Sequence, residues 1–211
     1  MAVGCNLSVV KVAGAIIAGG PARRLGGVAK PFLTVGGLSI AERQLALMRA
    51  TFSRIVVIAN DPAPWAPFGV EVVPDRVAGA GPMGGIQAAL AAADDCDAVV
   101  CVGGDLPFLE AALLAALRDG APEAAALVPR TAIGAEPLCA RYARLLLPAV
   151  DTRVQAGRLA LHTMLEEVFT IWIEGGELAA LDPDGRSFFN INTPDDLRRA
   201  DALAVRSGPR P

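Results

Sequence analysis

The chain has 211 residues, 53% of them hydrophobic and 19% charged, with a formal net charge of −3. A length of 211 residues suffices for one well-buried core, so a single domain over 1–211 is expected, with 206–211 as a flexible tail. The small net charge argues against non-specific binding to nucleic acid or an anionic membrane and leaves room for a local basic pocket. No basic residue precedes Lys11, and no apolar stretch approaches the roughly 18 residues of a membrane span. The expected location is the cytoplasm.

The first strand expected is Val12–Ile17. Directly after it, Ala18-Gly19-Gly20 leads into a segment with three cations, Arg23, Arg24 and Lys30. Two glycines let the backbone approach a ligand and turn its amides toward phosphate oxygens, while Arg offers a planar fork and Lys a compact charge. This loop lies at the carboxyl end of a strand, where open α/β sheets bind ligands, and reads as a phosphate site. It contains no G-x-x-x-x-G-K-[ST] pattern and is therefore not a Walker A loop.

Ser39-Ile40-Ala41-Glu42 fits a capping box opening a helix over Ile40–Ala50. Strands are expected at Ile55–Ala59 and Val70–Val73, then a helix at Ile86–Ala93. Gly79-Ala80-Gly81-Pro82-Met83-Gly84 matches the dinucleotide fingerprint G-x-G-x-x-G, with Asp105 downstream. Two features oppose that reading: the preceding strand ends too early, and Pro82 removes an amide from the turn.

Ala98–Val102 reads as a buried strand running through Gly103-Gly104 to Asp105, with a helix beginning near Glu110. A carboxylate at that edge can hold a hard cation, and Mg²⁺ needs only one or two carboxylates when phosphates and waters complete its shell. Asp75, after Val73-Pro74, is a second acid at a strand end, a nucleotide contact or a loop brace. The second half is less regular. Strands are expected at Leu127–Val128, Leu138–Tyr142 and Phe169–Ile173, a helix at Leu159–Glu167, and a capped helix start at Thr193-Pro194-Asp195-Asp196. Strand–helix alternation predicts an α/β fold of three layers, a mostly parallel sheet flanked by helices, with an accessory lobe from the second half.

The four cysteines (Cys5, Cys96, Cys101, Cys139) form no C-x-x-C pair, and His162 is the one histidine, so neither a zinc site nor a histidine-based triad is expected. A phosphate nucleophile is already ionised at neutral pH. Nucleotidyl transfer therefore needs cations, oriented amides and a metal more than a general base. This inventory suits it.

Four ordered motifs carry a family resemblance: Ile17-Ala18-Gly19-Gly20 through Arg24-Leu25-Gly26-Gly27 to Lys30; Gly81-Pro82-Met83-Gly84-Gly85-Ile86; Asp105-Leu106-Pro107; and Asn190-Ile191-Asn192-Thr193-Pro194-Asp195-Asp196-Leu197. On these the chain resembles the molybdenum cofactor guanylyltransferases, GT-A-like nucleotidyltransferases of Rossmann-like fold, from about Ala15 to Leu203. The resemblance implies transfer of GMP from GTP to the terminal phosphate of the molybdopterin cofactor, with Mg²⁺ as cofactor. Ile17, Ala18, Gly19 and Gly20 would meet the nucleotide through the backbone. Lys30, Asn60 and Asp75 would lie around it, Arg24 would neutralise the triphosphate, and Asp105 would contact Mg²⁺. Arg24, Lys30 and Asp105 form the implied catalytic set. Asn190 and Asn192 would line the acceptor side or brace the turn before the last helix. Transient contact with molybdenum cofactor insertion proteins or molybdoenzymes would fit such a role. Ala29 stands where the family usually has Asp, which removes a local brace on Lys30. The rival readings are a cytidylyltransferase for the same cofactor, a sugar-1-phosphate nucleotidyltransferase, and a nucleotide-binding regulator without turnover.

Overall fold

The computed structural model describes residues 10–19 and 27–206. Its elements in chain order are β1 (Val12–Ile17), β2 (Thr34–Val35), β3 (Leu38–Ser39), α1 (Ile40–Thr51), β4 (Ile55–Ile58), β5 (Glu71–Val73), α2 (Gly81–Ala92) and β6 (Ala98–Gly103). There follow α3 (Ala111–Asp119), β7 (Ala126–Arg130), β8 (Cys139–Ala143), α4 (Leu147–Gln155), α5 (Leu161–Glu167), β9 (Thr170–Glu174), α6 (Gly175–Leu181) and α7 (Pro194–Arg206).

Seven strands form one sheet in the order β5-β4-β1-β6-β8-β7-β9. β5, β4, β1 and β6 run parallel, β8 runs antiparallel to both β6 and β7, and β9 is parallel to β7. All six residues of β1 and all six of β6 are buried, as continuous apolar runs in a sheet covered on both faces must be. One apolar layer joins the sheet to α2, α4 and α5 through Met83, Ile86, Val150, Leu161 and Met164. The opposite layer joins it to α1, α3 and α6 through Leu45, Met48, Leu113, Leu117 and Leu178. A third cluster packs α7 on the β2–β3 hairpin through Val35, Ile40, Ile191 and Ala200.

The three-layer expectation holds, but the second half builds no separate lobe. β8, β7 and β9 extend the same sheet, with β8 reversed. The second helix begins at Gly81 rather than Ile86, because Pro82 occupies the first turn, where a missing amide costs nothing. Residues 74–80 separate it from β5, so the G-x-G-x-x-G match lacks the tight strand-to-helix turn of a dinucleotide site. α7 runs through Arg206, where the tail was expected to start; residues 207–211 lie outside the described residues. Among the described residues no helix is long and apolar enough to cross a membrane.

From β1 the chain moves to one side of the sheet through β4 and β5, then returns to place β6 on the other side of β1. The strand order therefore reverses between β1 and β6. A crevice opens outside their carboxyl ends, the place where sheets of this kind bind ligands.

Candidate active site at the strand-order reversal

The crevice is a cleft of about 410 Å³ lined on one side by Ile17, Ala18 and Gly19 and on the other by Gly103, Gly104 and Asp105. The two strand ends are fastened together by the Gly104 amide, which donates to the Ile17 carbonyl at 3.0 Å, and the Ala18 amide ties the end of β1 to β4 by donating to the Ile58 carbonyl at 2.9 Å. Gly104 sits where space is tight. A Cβ there would stand 3.1 Å from Pro31 Cγ and 3.3 Å from Ala18 Cβ, inside ordinary contact distance.

Lys30 opens a short helical turn, Lys30–Phe32, anchored by the buried Pro31. Its ammonium donates to Asp105 Oδ2 at 3.0 Å and to Asn192 Oδ1 at 2.6 Å. Three segments far apart in the chain thus meet at one cation. The side chains of Lys30 and Asp105 are 17% and 26% exposed, dry enough for the pair to matter and open enough to receive a ligand. The brace that Ala29 cannot give the lysine is supplied here by Asp105 and Asn192.

Asn192 is set by the start of α7. The Asp196 carboxylate accepts from the amides of Asn192 and Thr193 at 3.1 and 2.9 Å, and Thr193 Oγ1 accepts from the Asp196 amide at 3.1 Å. Hydrogen bonds to the carboxylate, from the Thr193 hydroxyl foremost and then from the backbone amides, hold the Asp196 carboxyl below its ordinary value. Asn190 lies exposed and outside the cleft lining. Of the two asparagines, Asn192 alone both lines the cleft and braces its lysine.

Asn60 and Asp75, at the ends of β4 and β5, clasp each other. The Asn60 amide donates to Asp75 Oδ2 at 3.0 Å and the Asp75 backbone amide donates to Asn60 Oδ1 at 3.0 Å. Neither lines the cleft floor, yet the Asp75 carboxylate abuts Gly19, where an added Cβ would fall 2.7 Å from Oδ2. They shape the rim beside the loop. Gly20 and Arg24, together with Arg23, lie outside the described residues.

The donor set fits Mg²⁺ in one respect. Asp105 Oδ2 is taken by Lys30, while Oδ1 accepts no hydrogen bond among the described residues and the side chain is open to solvent. No group of three or more His, Cys, Asp or Glu gathers among the described residues, so phosphates and waters would have to complete the shell, as is usual for this ion. His162 is exposed on α5 and does not line the cleft. Cys101 and Cys139 are buried, and burial pushes both thiols far above their ordinary value, so neither is a nucleophile.

Sequence reasoning overlooked Gln44. It is 2% exposed, and its amide donates to the carbonyls of Gly103 and Leu106 at 2.7 and 3.0 Å. The signal was present: Ile40, Ala41, Gln44, Leu45 and Met48 form the buried stripe of α1, and Gln44 is the one polar residue in it. Leu138 and Pro82 also line the cleft without having been singled out as site residues.

Comparison with known proteins agrees with this geometry. A family profile for the MobA-like NTP transferase domain matches residues 14–168. The chain is 31% identical over 198 residues to a molybdenum cofactor guanylyltransferase of Desulfosudis oleivorans, covering 93% of this chain and 97% of that one. With the molybdenum cofactor guanylyltransferase of Mesorhizobium japonicum it shares 35% identity over 207 residues, covering 91% and 95%. The solved structure of molybdopterin-guanine dinucleotide biosynthesis protein A from Archaeoglobus fulgidus superposes with a TM-score of 0.78 at 28% identity, over 92% of this chain and 99% of that one. A nucleotidyltransferase sheet, a lysine–aspartate–asparagine cluster at its reversal point and relatives matched over nearly their whole length lead to one conclusion: the chain belongs to the molybdenum cofactor guanylyltransferase family, on a MobA-like NTP transferase domain.

Proposed function

We propose that this chain transfers GMP from GTP to the terminal phosphate of the molybdopterin cofactor, releasing pyrophosphate, in the cytoplasm and as one unit over its whole length. The observation that carries this reading is Lys30, held by Asp105 and Asn192 in the cleft beyond β1 and β6.

An oxygen of the acceptor phosphate attacks the α-phosphorus of GTP. A new P–O bond forms as the bond to the bridging oxygen of the β-phosphate breaks, and its electron pair leaves with pyrophosphate. The attacking oxygen is ionised at neutral pH, so the step needs no general base. The backbone of Ile17, Ala18, Gly19 and Gly20 meets the nucleotide, and Asn60 with Asp75 holds the rim of that loop. Lys30 stabilises negative charge on the transferring phosphate, and Arg24 neutralises the triphosphate. Asn192, with Asn190 outside it, faces the acceptor. Asp105 would hold Mg²⁺, which when bound supplies positive charge to the phosphates. The product is handed on by transient contact with cofactor insertion proteins or molybdoenzymes.

The test is pyrophosphate release from purified protein with Mg²⁺ and molybdopterin cofactor, comparing GTP, CTP, ATP and UTP. Turnover with GTP alone is expected. Turnover with CTP in its place would overturn the base assignment, and silence with all four, against a competent acceptor control, would overturn the reaction.

A further inference from the structure

The site aspartate sits in a tight turn, Gly103-Gly104-Asp105-Leu106, closed by the Leu106 amide donating to the Gly103 carbonyl at 3.4 Å. That bond is long, at the outer limit of hydrogen-bond distance. On its far side the turn borders a second cleft of about 580 Å³, lined by Gln44, Leu47, Leu106, Pro107 and Phe108 among others. Gln44 reaches the turn from α1, and its amide spans both ends, donating to the carbonyls of its first and last residues. On the opposite side, the Asp105 carbonyl accepts from the Ile191 amide at 3.2 Å, next to Asn192.

A buried glutamine is a poor choice for stability here. Its Oε1 is buried without a hydrogen-bond partner among the described residues, a penalty that Leu or Met in the same stripe would avoid. α1 needs no such help, since it already has a full capping box at Ser39 and Glu42 and an apolar stripe on either side of Gln44.

We infer that Gln44 is a positioning residue: its amide clamps the Gly103–Leu106 turn so that the Asp105 carboxylate stands at the lysine and the transferring phosphates. Gln44 touches neither substrate nor the reacting atoms and acts only through the turn. The effect on turnover rests on the nucleotidyltransferase reading; the effect on the turn does not.

The experiment compares wild type with Gln44→Met and Gln44→Leu, which keep size and remove the donor. Hydrogen exchange of the peptide covering the turn is followed beside peptides from α1 and β6, together with kcat and KM for GTP. Loss of the two bonds should speed exchange in the turn by about tenfold or more, leaving α1 and the part of β6 before the turn, 98–102, unchanged. kcat should fall by about tenfold or more with KM for GTP within about threefold, the split expected when an interaction needed only in the transition state is misplaced. In an Asp105→Asn background the Gln44→Met change should alter turn exchange by the same factor and leave the residual kcat unaltered, because the carboxylate it serves is gone. Unchanged exchange in the turn would overturn the proposal, as would equal losses of kcat in both backgrounds. Loss of folding in both variants would overturn it too, since the amide would then be holding the fold. Wild-type silence with every nucleotide, alongside faster turn exchange, would instead sink the reaction and leave the clamp standing.

Discussion

Lys30→Met removes the one cation among the described residues lining the cleft and keeps the length of the stem. An ammonium about 4 Å from a phosphate oxygen at an effective dielectric of about 20 gains about 4 kcal/mol. To reach phosphate, Lys30 must loosen its contacts with Asp105 at 3.0 Å and Asn192 at 2.6 Å, both on partly exposed side chains. Such contacts are worth about 1 kcal/mol. The remaining difference, about 3 kcal/mol, corresponds to a loss of roughly 100-fold in kcat/KM. It agrees with the roughly 10²- to 10³-fold penalty for removing one preorganised donor from a transition-state site. The assay is initial-rate pyrophosphate release with varied GTP and saturating acceptor, run beside a melting curve. The melting temperature should stay within about 4 °C of wild type, as expected for a pair that solvent already screens. A kcat/KM within about threefold of wild type would refute the assignment of Lys30 to the phosphates.

Other substitutions probe the rim, the sheet and the caps. Gly19→Ala drives a Cβ against the Asp75 carboxylate, 2.7 Å from Oδ2, and breaks the Asn60 clasp; losing that bond should weaken GTP binding about fivefold by calorimetry. Gly19→Ala/Asp75→Ala should bind GTP no more weakly than Gly19→Ala, because the side-chain bond of the clasp is already lost in the single variant, and a double variant clearly worse than the single one would contradict the steric account. Gly85→Ala puts a Cβ 2.5 Å from Ile17 Cγ2, where α2 packs on β1. Overpacking there should cost about 1–3 kcal/mol and lower the melting temperature by about 3–10 °C. Glu42 and Asp196 have lowered folded-state pKa values, through hydrogen bonds with Ser39 and Thr193 respectively. Their stabilising effect is complete above the ordinary values of 4.5 and 3.8 and is lost as pH falls through the lowered ones. Glu42→Gln/Asp196→Asn should flatten melting temperature against pH in that acid window; an unchanged slope would contradict it.

Where local pattern and packing agree, the residues announce the structure. Val12–Ile17 reads as a buried strand because nothing in it is polar, and the Ser39–Glu42 box reads as a helix start because both partners lie within four residues. Asp105 and Lys30 were legible as chemistry because each follows a strand and glycines. What joins them was not legible: the partnership of Lys30 with Asn192 spans 162 positions and depends on the return of α7 to the hairpin. α2 was read five residues short, because glycines at 81, 84 and 85 erase the apolar period while Pro82 signals a helix start. α4 was missed for a related reason, with Pro148 at its first turn. The expected lobe dissolved into β8, β7 and β9 because strand direction is decided by the neighbour a strand meets, here β6, and not by its own residues. Gln44 went unnoticed because a lone polar residue in an apolar stripe has meaning only beside the carbonyls it reaches.

The most direct test of nucleotidyl transfer follows the label rather than the rate. Wild type and Asp105→Asn are incubated with Mg²⁺, molybdopterin cofactor and GTP labelled at the α-phosphate or, separately, at the γ-phosphate. Label from the α-phosphate is expected in a pterin dinucleotide and label from the γ-phosphate in pyrophosphate, in equal amounts, with both reduced together, by about 100-fold or more, in Asp105→Asn. Label from the α-phosphate in free GMP, or label from the γ-phosphate in inorganic phosphate, would mean that the cleft hydrolyses its nucleotide, and would contradict transfer to the cofactor.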